Sequence, residues 1–290
     1  MDFTEFRAGS NDEGRRLDRI IKHILKDNPQ ANVYAALRKK LIKVNGGKAS
    51  ADTRIVNGDI ISVAAFLVPQ SSPHHTQEAA FKTLFKNENL WLIDKPYGIP
   101  VQPEKGGLQD IATLIAASAP PSSSIAFRPA PLHRLDKYTT GVLAISQSLS
   151  GAMWFSKALQ EHSIGKTYFG IAEGTISQEE LWKDEVAGKH AETYAVPLST
   201  GHYHGRTYTY TRFSIATGRK HQIREQTAMH GHPLLGDRSY GSDCPLPNSR
   251  AYFLHAAALA VPADNPAGIP PLIQAPLPEE FAAFISSSLH

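Results

Sequence analysis

The chain has 290 residues, enough for a large domain and a small one, and its hydrophobic share of 41% and charged share of 20% are ordinary for a folded protein. Its single cysteine, Cys244, excludes an internal disulfide and fits a reducing compartment. The start carries no apolar secretory core, and the longest apolar runs are far shorter than the roughly 20 residues that span a bilayer. These properties predict a cytoplasmic, soluble protein with no membrane partner.

The charge is distributed unevenly along the chain. The formal net charge is only +3, but residues 1–70 hold 12 Lys/Arg against 8 Asp/Glu, while the remainder holds 18 against 19. A basic first quarter suits binding to nucleic acid. Charge alone fits a solvated helix face equally well, so this observation needs support from a motif.

The first quarter predicts two helices followed by small β-turns. The spacing of five apolar residues is that of an amphipathic helix: Leu17, Ile20, Ile21, Ile24 and Leu25. A second short helix is predicted across Tyr34 to Lys43, with three lysines close together on one side: Lys39, Lys40 and Lys43. The strings KVNGGK and VNGDIISV then predict turns that join short strands.

Beyond this module the sequence predicts a linker and a larger α+β domain. The stretch from Val68 to Ala79 lacks apolar periodicity and contains two prolines, which is typical of a linker. Strands are predicted in FKTLFKNENLWLIDKP, GVLAISQS, KTYFGIAEG and TYTYTRFSI, with a helix across 151–162. Since strands and helices alternate without a βαβ rhythm, we expect α+β rather than a doubly wound sheet.

Two strings carry the candidate chemistry. HRLDKYTTG, at 133–141, places the carboxylate of Asp136 between basic neighbours and before a turn rich in hydroxyls. TGRKHQIREQTAMHGHPLLGDRSYG, at 217–241, predicts a helix that starts after Thr217-Gly218 and carries Arg224 in its first turns. A carboxylate that must stay ionised away from solvent needs a nearby cation, and a guanidinium can bind it through two parallel hydrogen bonds. An ordinary ion pair that braces two elements explains the same residues.

Motifs for cofactors and metals are missing from the sequence. No GxxxxGK[ST] loop, no GxGxxG after a strand and no Cys/His zinc spacing is present. Histidine pairs occur at 74/75, 202/204 and 230/232, but none has a cysteine or a third ligand in its pattern, so we expect no metal site.

Together the two strings resemble those of the RluA-type family of RNA pseudouridine synthases. The resemblance implies that Asp136 is the catalytic residue, that Arg224 pairs with it, and that Tyr168 of KTYFGIAEG stacks on a uridine flipped out of its helix. It also implies that Arg134 fills the space vacated by that base, and that Ile223 and Leu254 form apolar pocket walls. No cofactor is implied, because the reaction is an isomerisation.

The string LRKKLIKVNGGKASADTRIVNGDIISV is similar to the pattern of the S4 RNA-binding domain. We therefore predict an S4-like module over residues 1–68, which binds RNA through Lys39, Lys40 and Lys43, a linker over 69–80, and a catalytic domain over 81–290. The catalytic domain is expected to contain a mixed, largely antiparallel sheet flanked by helices and loops. The resemblance favours ribosomal RNA of the large subunit as the substrate, and we expect the protein to be a monomer.

Three alternatives remain open at this stage. The chain can modify tRNA by the same chemistry, or it can be a ribosome assembly factor that binds RNA without catalysis. Retention of Asp136, Tyr168 and Arg224 argues against a non-catalytic scaffold. A glycosidase would need a second motif-borne acid. The nearest candidate, Asp237, follows a Pro break and a glycine, a context typical of a turn.

Overall fold

The computed structural model describes residues 1–26, 28, 32–69, 81–104, 109–118, 124–246 and 250–288. The chain divides into two compact units. The first comprises residues 1–79, 114–130 and 147–150, and the second comprises residues 80–113, 131–146 and 151–290. The predicted linker and its histidine pair at 74/75 lie almost wholly outside the described residues. No helix in the described part of the chain is long and apolar enough to cross a membrane.

The first unit combines two short helices with a four-stranded antiparallel sheet. Its elements in chain order are β1 (Phe3–Arg7), α1 (Leu17–Ile24), α2 (Val33–Arg38), β2 (Ile42–Val44), β3 (Gly47–Lys48) and β4 (Ile60–Ala64). The strand order in the sheet is β1-β4-β2-β3. The apolar face predicted for α1 is buried in a core with residues of α2, β2 and β4.

The predicted second helix is too long. It ends at Arg38, because the amide of Lys40 bonds to Leu37 O and that of Leu41 to Ala36 O. Lys40 adopts a φ of 58°, the left-handed conformation that commonly terminates helices. Lys39 and Lys40 therefore lie in the turn after the helix, and Lys43 lies in β2.

A buried carboxylate ties the later segment of the first unit to its N-terminal part. Asp12 is fully buried and accepts hydrogen bonds from Ser124 Oγ at 2.6 Å and from the amides of Ile125 and Ala126 at 2.8 and 3.0 Å. Ile125 also belongs to the apolar core of this unit. Residues 124–126 are thus an integral part of a unit that the sequence predicted to end near residue 68.

The second unit is built on a large mixed sheet. Its first strands are β5 (Lys82–Lys86) and β6 (Leu90–Lys95), and helix α3 (Ile111–Ser118) begins in this unit and ends in the first. The later elements in chain order are β7 (Thr140–Ser146), α4 (Leu149–Gln160), β8 (Gly165–Glu173), β9 (Glu180–Val186), β10 (Lys189–Tyr203), β11 (Arg206–Ile215), α5 (Gln222–Met229), β12 (Leu254–Ala260), β13 (Leu272–Gln274) and α6 (Glu279–Ser288). The strand order is β5-β6-β7-β12-β8-β11-β10-β9, and β13 pairs with β12. Only β7 and β12 run parallel among the described strands. The predicted α+β class is confirmed.

Two apolar clusters hold helices against this sheet. Phe155 of α4 packs with Leu90, Leu92, Val142 and Ala144 of β6 and β7. A second cluster joins α6 to the middle of the sheet through Phe281, Phe284, Ile171, Tyr208 and Phe253. The central strands β7, β8 and β12 are therefore fixed by packing, and the candidate motifs lie at or beside their ends.

Candidate active site

Asp136 lies in the loop that leads into β7. Thr139 donates its amide to Asp136 O at 3.0 Å, which closes the predicted turn. The threonine hydroxyls do not bond to that turn. Thr140 Oγ1 bonds to His255 Nδ1 at 2.8 Å, and Thr139 Oγ1 lies 3.4 Å from Tyr252 Oη. His255 lies in β12 and Tyr252 lies just before that strand, so these hydroxyls join the Asp136 loop to β12 and the residues that lead into it.

Gly141 permits the close approach of β7 to β12. Its φ is 108°, and a Cβ built on it would lie 2.1 Å from Ala256 O, a distance that no side chain tolerates. Ala256 faces Gly141 in the parallel ladder between the two strands. The glycine of the first motif therefore places the start of β7, and with it the Asp136 loop, directly against β12.

A fully buried lysine side chain bonds to backbone carbonyls of the same loop. Lys95, at the end of β6, donates from Nζ to the carbonyls of Pro96, Lys137 and Thr139 at 2.9, 3.0 and 2.9 Å. Burial lowers the pKa of Lys95 to about 7, and the charge of Asp136 opposes that shift. Because an ammonium has three N–H donors, it can satisfy all three carbonyls, two of which follow Asp136 in its loop.

Helix α5, which carries Arg224, is anchored by two buried glutamines. It begins at Gln222, later than the predicted start after Thr217-Gly218. Gln222 bonds to Glu192 O and to Thr193 Oγ1, and one turn later Gln226 accepts from Thr193 Oγ1 at 2.6 Å. These contacts fix α5 to β10 and leave Arg224 on the side that faces the Asp136 loop.

Arg224 contacts two carboxylates, and the stronger contact is the one that the sequence did not predict. Its Nε and Nη2 donate to Asp237 at 2.6 and 2.9 Å, while Nη1 donates to Asp136 Oδ2 at 3.3 Å. The predicted fork on Asp136 is therefore wrong, since the fork binds Asp237, which is 2% exposed. The rings of Tyr240 and Tyr252 lie 4.9 and 4.5 Å from the guanidinium carbon. Arg224 is thereby held in one orientation beside Asp136.

His221 is a second neighbour of Asp136 that the sequence did not single out. Its Nε2 lies 3.6 Å from Asp136 Oδ1, and its Nδ1 bonds to Tyr240 Oη at 2.9 Å. His221 adopts a φ of 58°, which costs a residue with a side chain about 1 kcal/mol. Burial lowers the pKa of His221, although the charge of Asp136 opposes this, so the imidazole is neutral at pH 7. Both Asp136 oxygens thus face groups carried at or near the start of α5.

The residues predicted for the substrate pocket line one small cavity. Its volume is about 60 Å³, and its walls include Arg134, Asp136, Tyr168, Arg224, Ile223 and Leu254. A volume of 60 Å³ corresponds to about two water molecules. Larger cavities of about 490 and 480 Å³ also include Asp136 in their walls. Asp136 is therefore reachable from solvent on more than one side.

Burial determines the protonation states of Tyr168, His133 and His255 at neutral pH. Burial raises the pKa of Tyr168, and the charge of Asp136 adds to that shift, so the phenol is protonated at neutral pH. His133 accepts the amide of Ala144 on Nε2 at 3.0 Å, and burial lowers its pKa to about 4. His255 bonds to Thr140 and to Ala275 O, and burial lowers its pKa as well. Both histidines are neutral at pH 7 and make structural hydrogen bonds.

The lysines that the sequence predicts to bind RNA all lie in the first unit. Lys39 and Lys40 are exposed, while Lys43 is half-buried with its Nζ 4.5 Å above the ring of Phe3. Within the described ranges, no group of three His, Cys, Asp or Glu side chains is arranged to hold a metal ion.

A solved structure and curated relatives place this arrangement among known proteins. The structure of human RNA pseudouridylate synthase domain containing 4 superposes with a TM-score of 0.56 and 22% identity, and the match covers 71% of this chain and 92% of that one. The fold is therefore that of pseudouridine synthases. Ribosomal large subunit pseudouridine synthase D of Nitrosomonas europaea is 27% identical over 98% of this chain and 87% of its own length. The enzyme of the same name from Vibrio cholerae is 29% identical over 81% and 75%. The model of the family described as RNA pseudouridylate synthase matches residues 89–229. The match spans just under half of the chain, which is thus similar to this family.

Four residues of the site escaped the sequence analysis as functional candidates: Lys95, His221, Asp237 and Tyr252. Asp237 and His221 stand inside the second motif, but a Gly-Asp pair and a histidine before a helix are common in turns and caps. Lys95 stands in the string IDKP, whose apolar run predicts a buried strand and therefore hints at a buried lysine. Tyr252 has no pattern around it that would have identified it.

Proposed function

We propose that this chain converts specific uridines of structured RNA to pseudouridine, and that large-subunit ribosomal RNA is its substrate. The match of residues 89–229 to the family model supports the reaction class. The names of the curated relatives, ribosomal large subunit pseudouridine synthases, support the choice of RNA. The single observation that carries the proposal is Asp136, 15% exposed and 3.3 Å from a fixed guanidinium, at the wall of a cavity that also contains Tyr168.

The reaction requires an ionised carboxylate next to a uridine that has left its stack. Arg224 donates a hydrogen bond to Asp136, and Lys95 lies close enough for its charge, when protonated, to interact with the same carboxylate. The ring of Tyr168 offers a face on which the extruded base stacks. Ile223 and Leu254 close the pocket with apolar surface.

Within that pocket the C1′–N1 bond of the uridine breaks, the base turns, and a C1′–C5 bond forms. The proton from C5 is released and N1 gains one, so the reaction is balanced without an oxidant, a reductant or a cofactor. Asp136 is the catalytic residue in this proposal. Arg134, which is exposed and lines the same cavity, occupies the space that the flipped base leaves in the RNA helix.

The first unit is the recognition module of the same proposal. Residues 1–68 supply an S4-like RNA-binding domain, to which residues 124–126 bond through Asp12, and residues 131–146 and 151–290 belong to the catalytic domain. The exposed Lys39 and Lys40 and the half-buried Lys43 contact RNA phosphates. A monomer with these parts suffices for the reaction, and a ribosomal RNA substrate implies that the protein works in the cytoplasm.

Mapping pseudouridines tests this proposal directly. Ribosomal and transfer RNA from cells with the gene, without it, and with Asp136→Asn in its place are compared position by position. We expect at least one large-subunit ribosomal uridine to lose modification both in the deletion and in the variant. Loss only in tRNA would reassign the substrate. Unchanged pseudouridine together with a ribosome assembly defect that Asp136→Asn rescues would instead establish an RNA-binding assembly factor.

A further inference from the structure

The cavity of about 490 Å³ beside Asp136 has a strongly basic wall. Its described lining includes four side chains that are cationic at neutral pH: Arg134, Lys166, Arg219 and Lys220. Asp136 is the only acidic residue of that lining, and its oxygens face Arg224 and His221. The cavity therefore has a marked excess of positive charge, which attracts an anionic ligand.

These cations lack the partners that neutralise other cations of the same unit. Lys82 pairs with Asp94, Lys157 with Glu161 and Arg206 with Asp243 on its surface. Within the described residues, no carboxylate lies within 4.0 Å of any of the four cations that line the cavity. The four cations line one cavity and therefore repel one another more strongly than lysines scattered over a surface do.

Lys166 and Arg219 are fixed next to each other by backbone groups. Lys166 donates from Nζ to Thr217 O at 3.3 Å, and this nitrogen lies 3.2 Å from the position that a Cβ at Gly218 would take. Arg219 donates from Nε to His190 O at 3.0 Å, which fixes its stem and leaves both Nη nitrogens without a partner among the described residues. Burial lowers the pKa of Lys166, and the charge of Arg219 lowers it further. A bound anion would relieve this repulsion.

The pair lies at a suitable distance from the candidate base pocket. Lys166 and Tyr168 are two residues apart on β8, so they project from the same face of the strand about 7 Å apart. Asp136, Tyr168 and Arg219 line both the 490 Å³ cavity and the 60 Å³ cavity. A nucleotide whose base enters the small cavity therefore has its backbone in the large one.

We propose that Lys166 and Arg219 form a binding subsite for one of the two phosphates that flank the target uridine. The inference rests on the proposed function and adds the residues that hold the RNA backbone during base flipping. Arg219 offers two free Nη groups for two phosphate oxygens, and Lys166 supplies a point charge next to them. The pair thus fixes the sugar of the flipped nucleotide relative to Asp136.

Chemically neutral RNA linkages test the inference. The RNA is the shortest transcript around the mapped uridine that the wild type modifies, synthesised with an uncharged methylphosphonate on the 5′ side of that uridine, on its 3′ side, or on neither. Rates of pseudouridine formation give kcat/KM for the wild type, Lys166→Met and Lys157→Met. The last variant removes the same charge from an exposed lysine of α4 outside the cavity and serves as the matched control.

We expect that the loss in kcat/KM from the neutral linkage and the loss from substituting Lys166 do not multiply when the two changes are combined. The wild type and Lys157→Met should lose at least tenfold, about 1.4 kcal/mol or more, on one of the two neutral linkages, because both cations of the pair lose their charged partner there. Lys166→Met should lose about tenfold on the unmodified RNA, and on that neutral RNA it should match the wild type, because the charge that Lys166 contacts is already absent. Lys166→Arg, which keeps the charge, should remain within about threefold of the wild type on the unmodified RNA.

The subsite is overturned if the losses in kcat/KM from the neutral linkage and from Lys166→Met multiply. It is also overturned if neither neutral linkage changes the rate of the wild type. Both results leave the proposed function intact. A wild type that modifies no RNA overturns the proposed function and the subsite with it. Arg219→Gln is the second variant, for use if Lys166→Met does not fold. It removes the other cation of the pair and should show the same single loss.

Discussion

Arg224 binds Asp237 through two hydrogen bonds, of 2.6 and 2.9 Å, and so has only Nη1 left for Asp136, at 3.3 Å. Asp237 is therefore a positioning residue that orients the guanidinium, and Asp136 receives the remaining donor. The arrangement gives Asp136 a neighbouring positive charge through a single donor.

Asp237→Asn should lower both stability and activity. The side chains of Arg224 and Asp237 are 9% and 2% exposed, and loss of one partner of a buried pair costs about 3–5 kcal/mol of the free energy of unfolding. Freed from Asp237, the guanidinium can turn fully to Asp136, so we expect kcat to fall at least tenfold, by about 1.4 kcal/mol or more in activation free energy. Urea unfolding and pseudouridine formation measure the two effects.

The matched control is Asp243→Asn, which removes the carboxylate partner of Arg206 in a pair whose aspartate is 74% exposed. That variant should resemble the wild type in both measurements. If Asp237→Asn proved as stable and as active as this control, Asp237 would have no positioning role.

Arg224→Lys should reduce activity even though it keeps the positive charge. An ammonium cannot hold Asp237 in a fork and reach Asp136 at the same time, and it loses the stacked position between Tyr240 and Tyr252. We expect kcat to fall by at least an order of magnitude with a smaller change in KM, because the altered contact lies beside the reacting group. A change in KM alone would show that Arg224 serves RNA binding and not the chemistry.

The sequence predicts the elements whose local pattern agrees with their tertiary role. The apolar spacing of α1 and the alternation of β11 both correspond to described elements. The sequence missed β10, since Pro197 and Ser199 flank a register shift that breaks the alternation of buried residues. The sequence also did not predict that Arg224 binds Asp237, and not Asp136, through two hydrogen bonds. That choice depends on side-chain positions that separate loops determine.

Lys95 predicts an unusual dependence of stability on pH. Burial lowers its pKa from 10.5 to about 7, so between these values the unfolded chain binds a proton that the folded chain has lost. The contribution of Lys95 to stability is therefore least favourable below pH 7 and improves as the pH rises above it. Relative to Lys95→Met, the wild type should gain up to about 1.4 kcal/mol in the free energy of unfolding per pH unit above about pH 7.

Urea unfolding of the wild type and Lys95→Met between about pH 6 and pH 9 measures this difference. Lys157→Met, which removes a lysine that is 72% exposed, supplies the control and should follow the wild type at every pH. Parallel curves for the wild type and Lys95→Met would mean that the three carbonyls around Nζ keep the ammonium charged, with a pKa near its ordinary value.

The lysines of the first unit predict a change in the salt dependence of RNA binding. Each phosphate contact contributes roughly 0.7–0.9 to the slope of log K against log salt concentration. Replacing Lys39, Lys40 and Lys43 together by Ala should therefore reduce the slope by about 2 units, with Lys43 contributing least because its ammonium already lies over the ring of Phe3. Catalysis at saturating RNA should persist, since Asp136, Tyr168 and Arg224 lie in the other unit.

Substitution is the sharper test of this module than truncation. Removing residues 1–70 would deprive Ser124, Ile125 and Ala126 of the Asp12 carboxylate that binds them and expose the apolar side chain of Ile125. A loss of binding after truncation would then mix lost contacts with local unfolding. The matched control for the substitutions is the triple variant Lys82→Ala, Lys157→Ala and Lys183→Ala, which removes equal charge from exposed lysines of the second unit. Binding curves for a structured ribosomal RNA fragment at several salt concentrations should give the control variant the wild-type slope. Equal slopes for both triple variants would mean that the RNA docks on a surface other than that of Lys39, Lys40 and Lys43.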